Sequence, residues 1–128
     1  MPVKYNLSEK GNPGDREAAK KFYANAKSSG EVTFRSLSKE IASGSTTVSD
    51  TDVMAVLNDL TKALSRHLAD GKIVRFGDFG SFQISLSSEG AETADKFNAS
   101  MIKGAKILFR PGLDLKDMLS TIRYEKEK

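Results

Sequence analysis

Two glycines three positions apart, Gly77 and Gly80, separate two runs in which apolar residues fall at even spacing, and this limits what the chain can become. The stretch reads Val74-Arg75-Phe76-Gly77-Asp78-Phe79-Gly80-Ser81-Phe82-Gln83-Ile84, with Leu86 two residues on. In strand geometry Val74, Phe76, Phe82, Ile84 and Leu86 project to one face. The glycines allow backbone angles and close approaches that a side chain forbids. The pattern predicts a strand, a tight turn with Phe79 at its corner, and a second strand. A lone hairpin is unstable in water and needs helices against its apolar face.

The chain supplies them. Thr33 can cap a short helix with Phe34, Leu37, Ile41 and Ala42 on one side and Gly44 as its stop. Ser49 opens the strongest helix, with Asp52 at the capping-box position and Val48 placed to staple against Val53. Its stripe runs Val53, Val56, Leu57, Leu60, Leu64, Leu68 and ends at Asp70-Gly71. Ser87 to Ser100 has no clear period and is expected to be a mobile loop or arm tip. Lys103 to Arg110 returns as a strand carrying Ala105, Ile107 and Phe109 on one face, broken by Pro111-Gly112. Asp114 is expected to cap a last helix, with Asp117 at its box position and Leu115, Met118, Leu119 and Ile122 inside.

Residues 1–32 read as an extension. Val3, Tyr5 and Leu7 alternate as in a short strand, and Lys10-Gly11-Asn12-Pro13-Gly14-Asp15 is a turn cluster. Between Glu17 and Ala26 the alanines favour helix, yet Phe22, Ala24 and Ala26 alternate, and an extended segment is the preferred reading. The last residues, 123–128, form a charged tail expected to fray, although Ile122 and Tyr124 can start an edge strand.

Several function classes are disfavoured. No apolar run approaches the roughly 18 residues of a membrane span, and the opening residues lack a signal-peptide core. There is no cysteine, so neither a disulfide framework nor a thiolate metal site is expected, and the cytoplasm is the default compartment. His67, the one histidine, stands beside the leucine stripe without a partner cluster, as a core-edge residue does. Asp78-Phe79-Gly80 spells a kinase triplet with no other kinase feature around it. Asp50 and Asp52 stand where carboxylates favour a helix dipole. With no nucleophile, base and orienting group in view, no enzymatic activity, cofactor or small-molecule substrate is expected.

The net charge is +3. From Lys103 onward, Lys103, Lys106, Arg110, Lys116, Arg123, Lys126 and Lys128 outnumber Asp114, Asp117, Glu125 and Glu127. Between Leu86 and Ser100, Glu89, Glu92 and Asp95 face Lys96 alone. An anion-binding surface is therefore expected on the C-terminal strand and helix. Arg75, Lys103, Lys106 and Arg110 are expected to share the sheet face opposite the phenylalanines. That arrangement also describes the solvated face of any half-buried sheet.

The order helix, helix, hairpin, long arm, strand, short helix resembles the HU/IHF bacterial nucleoid proteins. Phe79-Gly80-Ser81-Phe82 is similar to that family's glycine–phenylalanine–glycine turn. Phe109-Arg110-Pro111-Gly112 with Leu115-Lys116, and Leu37 to Ala42, carry the rest of the likeness. The resemblance covers residues 33–122; residues 1–32 look like the extension of a long-chain branch. It implies an α+β, IHF/HU-like fold: a helical base, a three-stranded antiparallel sheet with a β-arm, and here extra N-terminal strands. It further implies an intertwined homodimer that wraps double-stranded DNA in the nucleoid, bending it in the minor groove with apolar wedges. Phe79, Phe82 and Phe109 would be dimer-core aromatics. Lys116 matches a basic position on the DNA-facing flank, and Lys72, Arg75, Lys103, Lys106 and Arg110 remain for phosphate contact.

There are departures. The family's arm tip is basic and ends in an arginine–asparagine–proline wedge, whereas this one holds Glu89, Gly90, Glu92 and Asp95 and no proline. Asp78 replaces a glycine, and Leu113 a usual lysine. The expectation is sequence-independent DNA binding through phosphates, without intercalation. A rival reading is a HU-fold interaction or assembly module with weak or no DNA binding, favoured by the acidic tip.

Overall fold

The computed structural model describes residues 2–11, 14, 15, 17–44 and 47–127. In chain order the elements are β1 (Val3–Lys10), β2 (Lys21–Lys27), α1 (Phe34–Ser43), α2 (Asp50–Ala69), β3 (Val74–Arg75), β4 (Gly80–Ser88), β5 (Ile102–Pro111), α3 (Leu113–Ser120) and β6 (Tyr124–Lys126). They fall into two compact units, one of residues 34–117 and the other of residues up to 33 together with those from 118 onward. Asn12 and Pro13 of the expected turn cluster, and Lys128 at the end of the expected tail, lie outside the described residues.

In the 34–117 unit, α1 packs against α2, and α2 touches β3 and β4. Ser38 is fully buried, and its hydroxyl donates to the Phe34 carbonyl at 2.6 Å, which is what lets a polar side chain sit there. The Ser49 hydroxyl accepts the Asp52 N–H at 3.1 Å and holds the start of α2, with Asp50 and Asp52 beside the positive end of its dipole. The helix stops at a Schellman motif. Gly71 takes φ 79°, its N–H reaches the Leu68 carbonyl at 2.9 Å, and the Lys72 N–H reaches that of His67 at 3.1 Å.

The three strands pair antiparallel in the order β3-β4-β5. Between β3 and β4 the chain makes a single 3₁₀ turn, Gly77–Phe79, in which Gly77 has φ 56° and Gly80 φ 147°. The Phe76 N–H closes it on the Gly80 carbonyl at 2.8 Å. Asp78 needs no left-handed conformation, because Gly77 supplies it; among the described residues no non-glycine has positive φ.

The expected cap of the last helix is displaced. Lys116 N–H donates to the Gly112 carbonyl at 3.0 Å, so Gly112 stands at the helix start and Asp114 lies within the first turn. The stretch from Ser87 forms the end of the β4–β5 arm and its tip, and it carries local structure of its own. The ladder continues until the Glu89 N–H meets the Met101 carbonyl at 2.9 Å, and the loop beyond holds two 3₁₀ turns, Ala94–Lys96 and Ala99–Met101. The strand ends at Pro111, as expected, with that residue opposite Gly80, where a missing donor costs least.

The other unit is a sheet of order β2-β1-β6, with β2 antiparallel and β6 parallel to β1. Both extended segments expected near the N-terminus are therefore strands. Of the two readings of the tail, the edge strand is the one seen. Val3 N–H donates to the Arg123 carbonyl at 2.7 Å, Glu127 N–H to that of Tyr5 at 2.8 Å, and Lys27 Nζ is ion-paired with Glu127. Alternation places Val3, Tyr5, Leu7, Phe22, Ala24, Ala26 and Tyr124 on one face.

A side chain has no room at two of the glycines. A Cβ on Gly80 would stand 2.5 Å from the Arg110 carbonyl oxygen, and one on Gly112 would stand 2.3 Å from that of Asp78. Gly80→Ala and Gly112→Ala should each lower stability by roughly 1–3 kcal/mol or more. Gly90→Ala, with nothing within 4 Å of its Cβ, should shift the urea midpoint little. Equal midpoints for all three variants would contradict this packing.

Candidate nucleic-acid interface

Register across β3-β4-β5 sorts the sheet into two faces. Arg75 pairs with Ser81, and Ser81 with Arg110, so three neighbouring positions carry two guanidiniums about a hydroxyl. Two strand spacings separate the arginine backbones, roughly 10 Å. Beside them Arg75, Gly77, Gly80, Ser81, Pro111 and Gly112 line a half-open cavity of about 230 Å³. Lys106, paired with Ser85, continues the same face, with Gln83 and Leu108 between. Guanidiniums and ammoniums on a shallow surface with a hydroxyl among them can donate charge-assisted hydrogen bonds to phosphate oxygens.

The structure thus brings together Arg75, Lys106 and Arg110. Lys103, expected on the same face, does not join their register. Ser87 pairs with Gly104 and Ser88 with Ile102, so Lys103 is the extra residue of a bulge, and its Nζ lies 3.7 Å from Glu89 Oε1. Counting by twos already separates it, since Lys103 has the parity of Ala105, Ile107 and Phe109. Lys72 sits in the link after α2 and Lys116 on α3; both are exposed and off the sheet. Ser81 is not singled out by the sequence pattern; only the three-strand register sets it between the arginines.

The opposite face holds Val74, Phe82, Ile84, Leu86, Ala105, Ile107 and Phe109. Four rings meet where this face joins the turn: Phe82–Phe109 at 4.8 Å between centroids, Phe76–Phe82 at 5.4 Å, Phe79–Phe109 at 5.7 Å and Phe76–Phe79 at 5.9 Å. These are tilted and edge-on geometries that aromatic pairs favour. Phe79 is still 47% exposed and Ile107 64%, so one chain leaves much of this face uncovered.

Paired helices behind a three-stranded antiparallel sheet, with an aromatic turn pinned by glycines at both ends, define a HU-type unit. The chain belongs to the family of HU domains fused to a winged helix-turn-helix, immunoglobulin-like or glycine-rich motif, which matches residues 1–126. That match takes in residues 1–32, which the likeness to HU/IHF leaves out. The fold is similar to the crystal structure of a candidate bacterial DNA-binding protein from Bacteroides vulgatus, at 10% identity and a TM-score of 0.65. The alignment covers 97% of this chain and 47% of that one, so the chain spans about half that protein's length. Comparison with curated proteins gives no match.

Phe82 touches both Phe76 and Phe109, so its removal empties the middle of the cluster. Phe82→Ala should cost about 3–5 kcal/mol, the range for truncating a core phenylalanine. Chemical unfolding followed by far-ultraviolet circular dichroism measures this, and a loss below about 1 kcal/mol would place the cluster outside the core.

Proposed function

We propose that this chain is a non-enzymatic, HU-like DNA-binding module. It acts as an intertwined homodimer that holds double-stranded DNA through its phosphates and compacts or bends the chromosome in the nucleoid. The observation that carries this reading is the Arg75–Ser81–Arg110 row with Lys106, set on a HU-type sheet opposite its aromatic face. Membership of a HU-domain family supports it, as does a fold shared with a candidate DNA-binding protein. Contacts of this kind are blind to sequence, because a cation on a phosphate carries no base information. Lys72 and Lys116 add charge from the link and from α3, and Lys103, tied to Glu89, contributes least of the six.

The dimer is inferred from apolar surface without cover. Leu68 is the one buried apolar side chain among the described residues, while Val56, Leu60, Ile73 and Ile107 remain exposed. A chain of this size rarely carries so much uncovered apolar surface as a monomer. A second copy would bury Phe79, Phe82 and Phe109 between the two.

The rival reading, an interaction module, rests on the acidic tip. Much of that acidity is already matched: Glu92 pairs with Lys96 at 3.3 Å and Glu89 with Lys103. These exposed pairs are weak, but they reduce the tip's repulsion of a polyanion. Among the described residues no helix is long and apolar enough to cross a membrane.

Binding to a random-sequence duplex should weaken steeply with salt, each neutralised phosphate adding about 0.9 to the log–log slope. Arg75→Ala, Lys106→Ala and Arg110→Ala should each reduce that slope and weaken all sequences alike, and Lys103→Ala should do so least. Neutralising Glu89, Glu92 and Asp95 should leave affinity unchanged or raise it. Without a proline wedge, end-labelled duplex should show less bending by fluorescence transfer than the intercalating members of the family produce. Light scattering that reports a stable monomer would remove the dimer, and absence of salt-sensitive binding by a folded dimer would promote the interaction module.

A further inference from the structure

The sheet of the N-terminal unit carries a second cationic face that the reading above does not use. Register pairs Lys4 with Lys27 and Lys10 with Lys21, and alternation sets Asn6, Ser8, Tyr23 and Asn25 between them on the same side. We propose that this face is a separate nucleic-acid contact, taking the phosphate backbone of a duplex.

Like charges directly opposite one another weaken a sheet, and this sheet has two such pairs on one face. Nothing in its own packing calls for them. Carboxylates reach this face only from β6. Glu9 lies on the opposite face with Leu7 and Phe22, while Glu125 stands opposite Lys4 and Glu127 beyond it, both at one end of the row. Lys27 is paired with Glu127, whereas Lys4, Lys10 and Lys21 have no ion pair among the described residues. All four lysines are exposed.

Spacing fits a duplex. Six strand steps separate the two lysine pairs, about 20 Å, enough with lysine's reach to touch phosphates on both sides of a groove about 12 Å wide. The surface between is neutral and rich in hydrogen-bonding groups. Asn25 Nδ2 donates to Ser8 Oγ at 2.7 Å, which orients that amide, and Tyr23 is half exposed. A membrane-binding face would set aliphatic or aromatic residues beside its lysines for insertion. Here, Tyr23 apart, the apolar residues lie on the other side of the sheet, and the polar centre suits sugar and phosphate instead.

The test uses the full chain, a random-sequence duplex and fluorescence anisotropy across a salt series. The variant K4Q/K10Q/K21Q should keep its circular dichroism spectrum and lower the log–log slope by about 0.9 for each lysine engaged. A matched variant, K39Q/K62Q/R66Q, removes the same charge from the helices and should leave the slope unchanged; an equal fall would reduce the effect to net charge and overturn the proposal. In an R75Q/K106Q/R110Q background, residual salt-sensitive binding should persist, and its slope should fall further when the three lysines are also changed. No effect of the lysines in either background overturns this surface and leaves the sheet face of the 34–117 unit standing. Lysine-dependent binding that ignores Arg75, Lys106 and Arg110 does the reverse. Lysine-dependent binding to phosphatidylserine vesicles, with none to duplex, would assign the face to a membrane and overturn it for DNA.

Discussion

The tight packing of Gly80 and Gly112 against the backbone of Arg110 and Asp78 sets the position of most of the 34–117 unit. With no Cβ at either glycine, the end of β5 passes directly beneath the turn, and the Gly112 N–H reaches the Phe79 carbonyl at 2.9 Å. That contact fixes the register of β5 against β4. It puts Phe82 opposite Phe109 and Ser81 opposite Arg110, so the aromatic cluster and the arginine row are two consequences of one alignment. A slip of one residue would exchange the faces, sending Arg110 toward the rings and Phe109 toward solvent. The same glycine then starts α3 by accepting the Lys116 N–H.

What this alignment creates, one chain does not cover. Phe82 and Ile84 are half-buried, but Leu86 and Ile107, further along the same face, lie open, as does Val56 on the stripe of α2. A strand that stabilised only its own chain would have no reason to extend an apolar face past its supporting helices. In the proposed dimer this surplus becomes the interface, and folding and association become one event. Stability of the isolated chain is then not a separate quantity, and substitutions at Phe79, Phe82 or Phe109 act on both.

Elements whose signal is local were legible in the sequence. Ser49 with Asp52 and Asp70-Gly71 mark both ends of α2, because caps and Schellman turns use neighbours a few residues apart. The glycine turn and the strands on either side of it follow from period-two alternation. Features that depend on distant partners were not legible in the same way. Parity alone already sets Lys103 with Ala105, Ile107 and Phe109, but the bulge that makes it the extra residue exists only in the pairing of β5 with β4. The start of α3 went to Gly112 rather than Asp114 because the turn carrying Phe79 and Gly80 holds Gly112 in place. In β1, the alternation of Val3, Tyr5 and Leu7 implies that Lys4 and Lys10 share the other face. That they meet Lys27 and Lys21 there depends on where β2 docks.

Charge is therefore organised by face, and the linear sequence conceals it. The net charge of +3 is small and the tip between β4 and β5 is acidic, which read along the chain argues against a strong polyanion binder. Pairing reverses the emphasis. Glu9 is turned to the apolar side of its sheet, and Glu89 and Glu92 are occupied by Lys103 and Lys96. Arg75, Lys106 and Arg110 remain on a sheet face that register leaves without a carboxylate. At physiological salt, charges more than about 8 Å apart scarcely feel one another. A phosphate at either sheet therefore responds to the few cations beside it rather than to the total. A nearly neutral chain can in this way carry locally strong anion sites, and neutralising a residue matters according to the face it occupies.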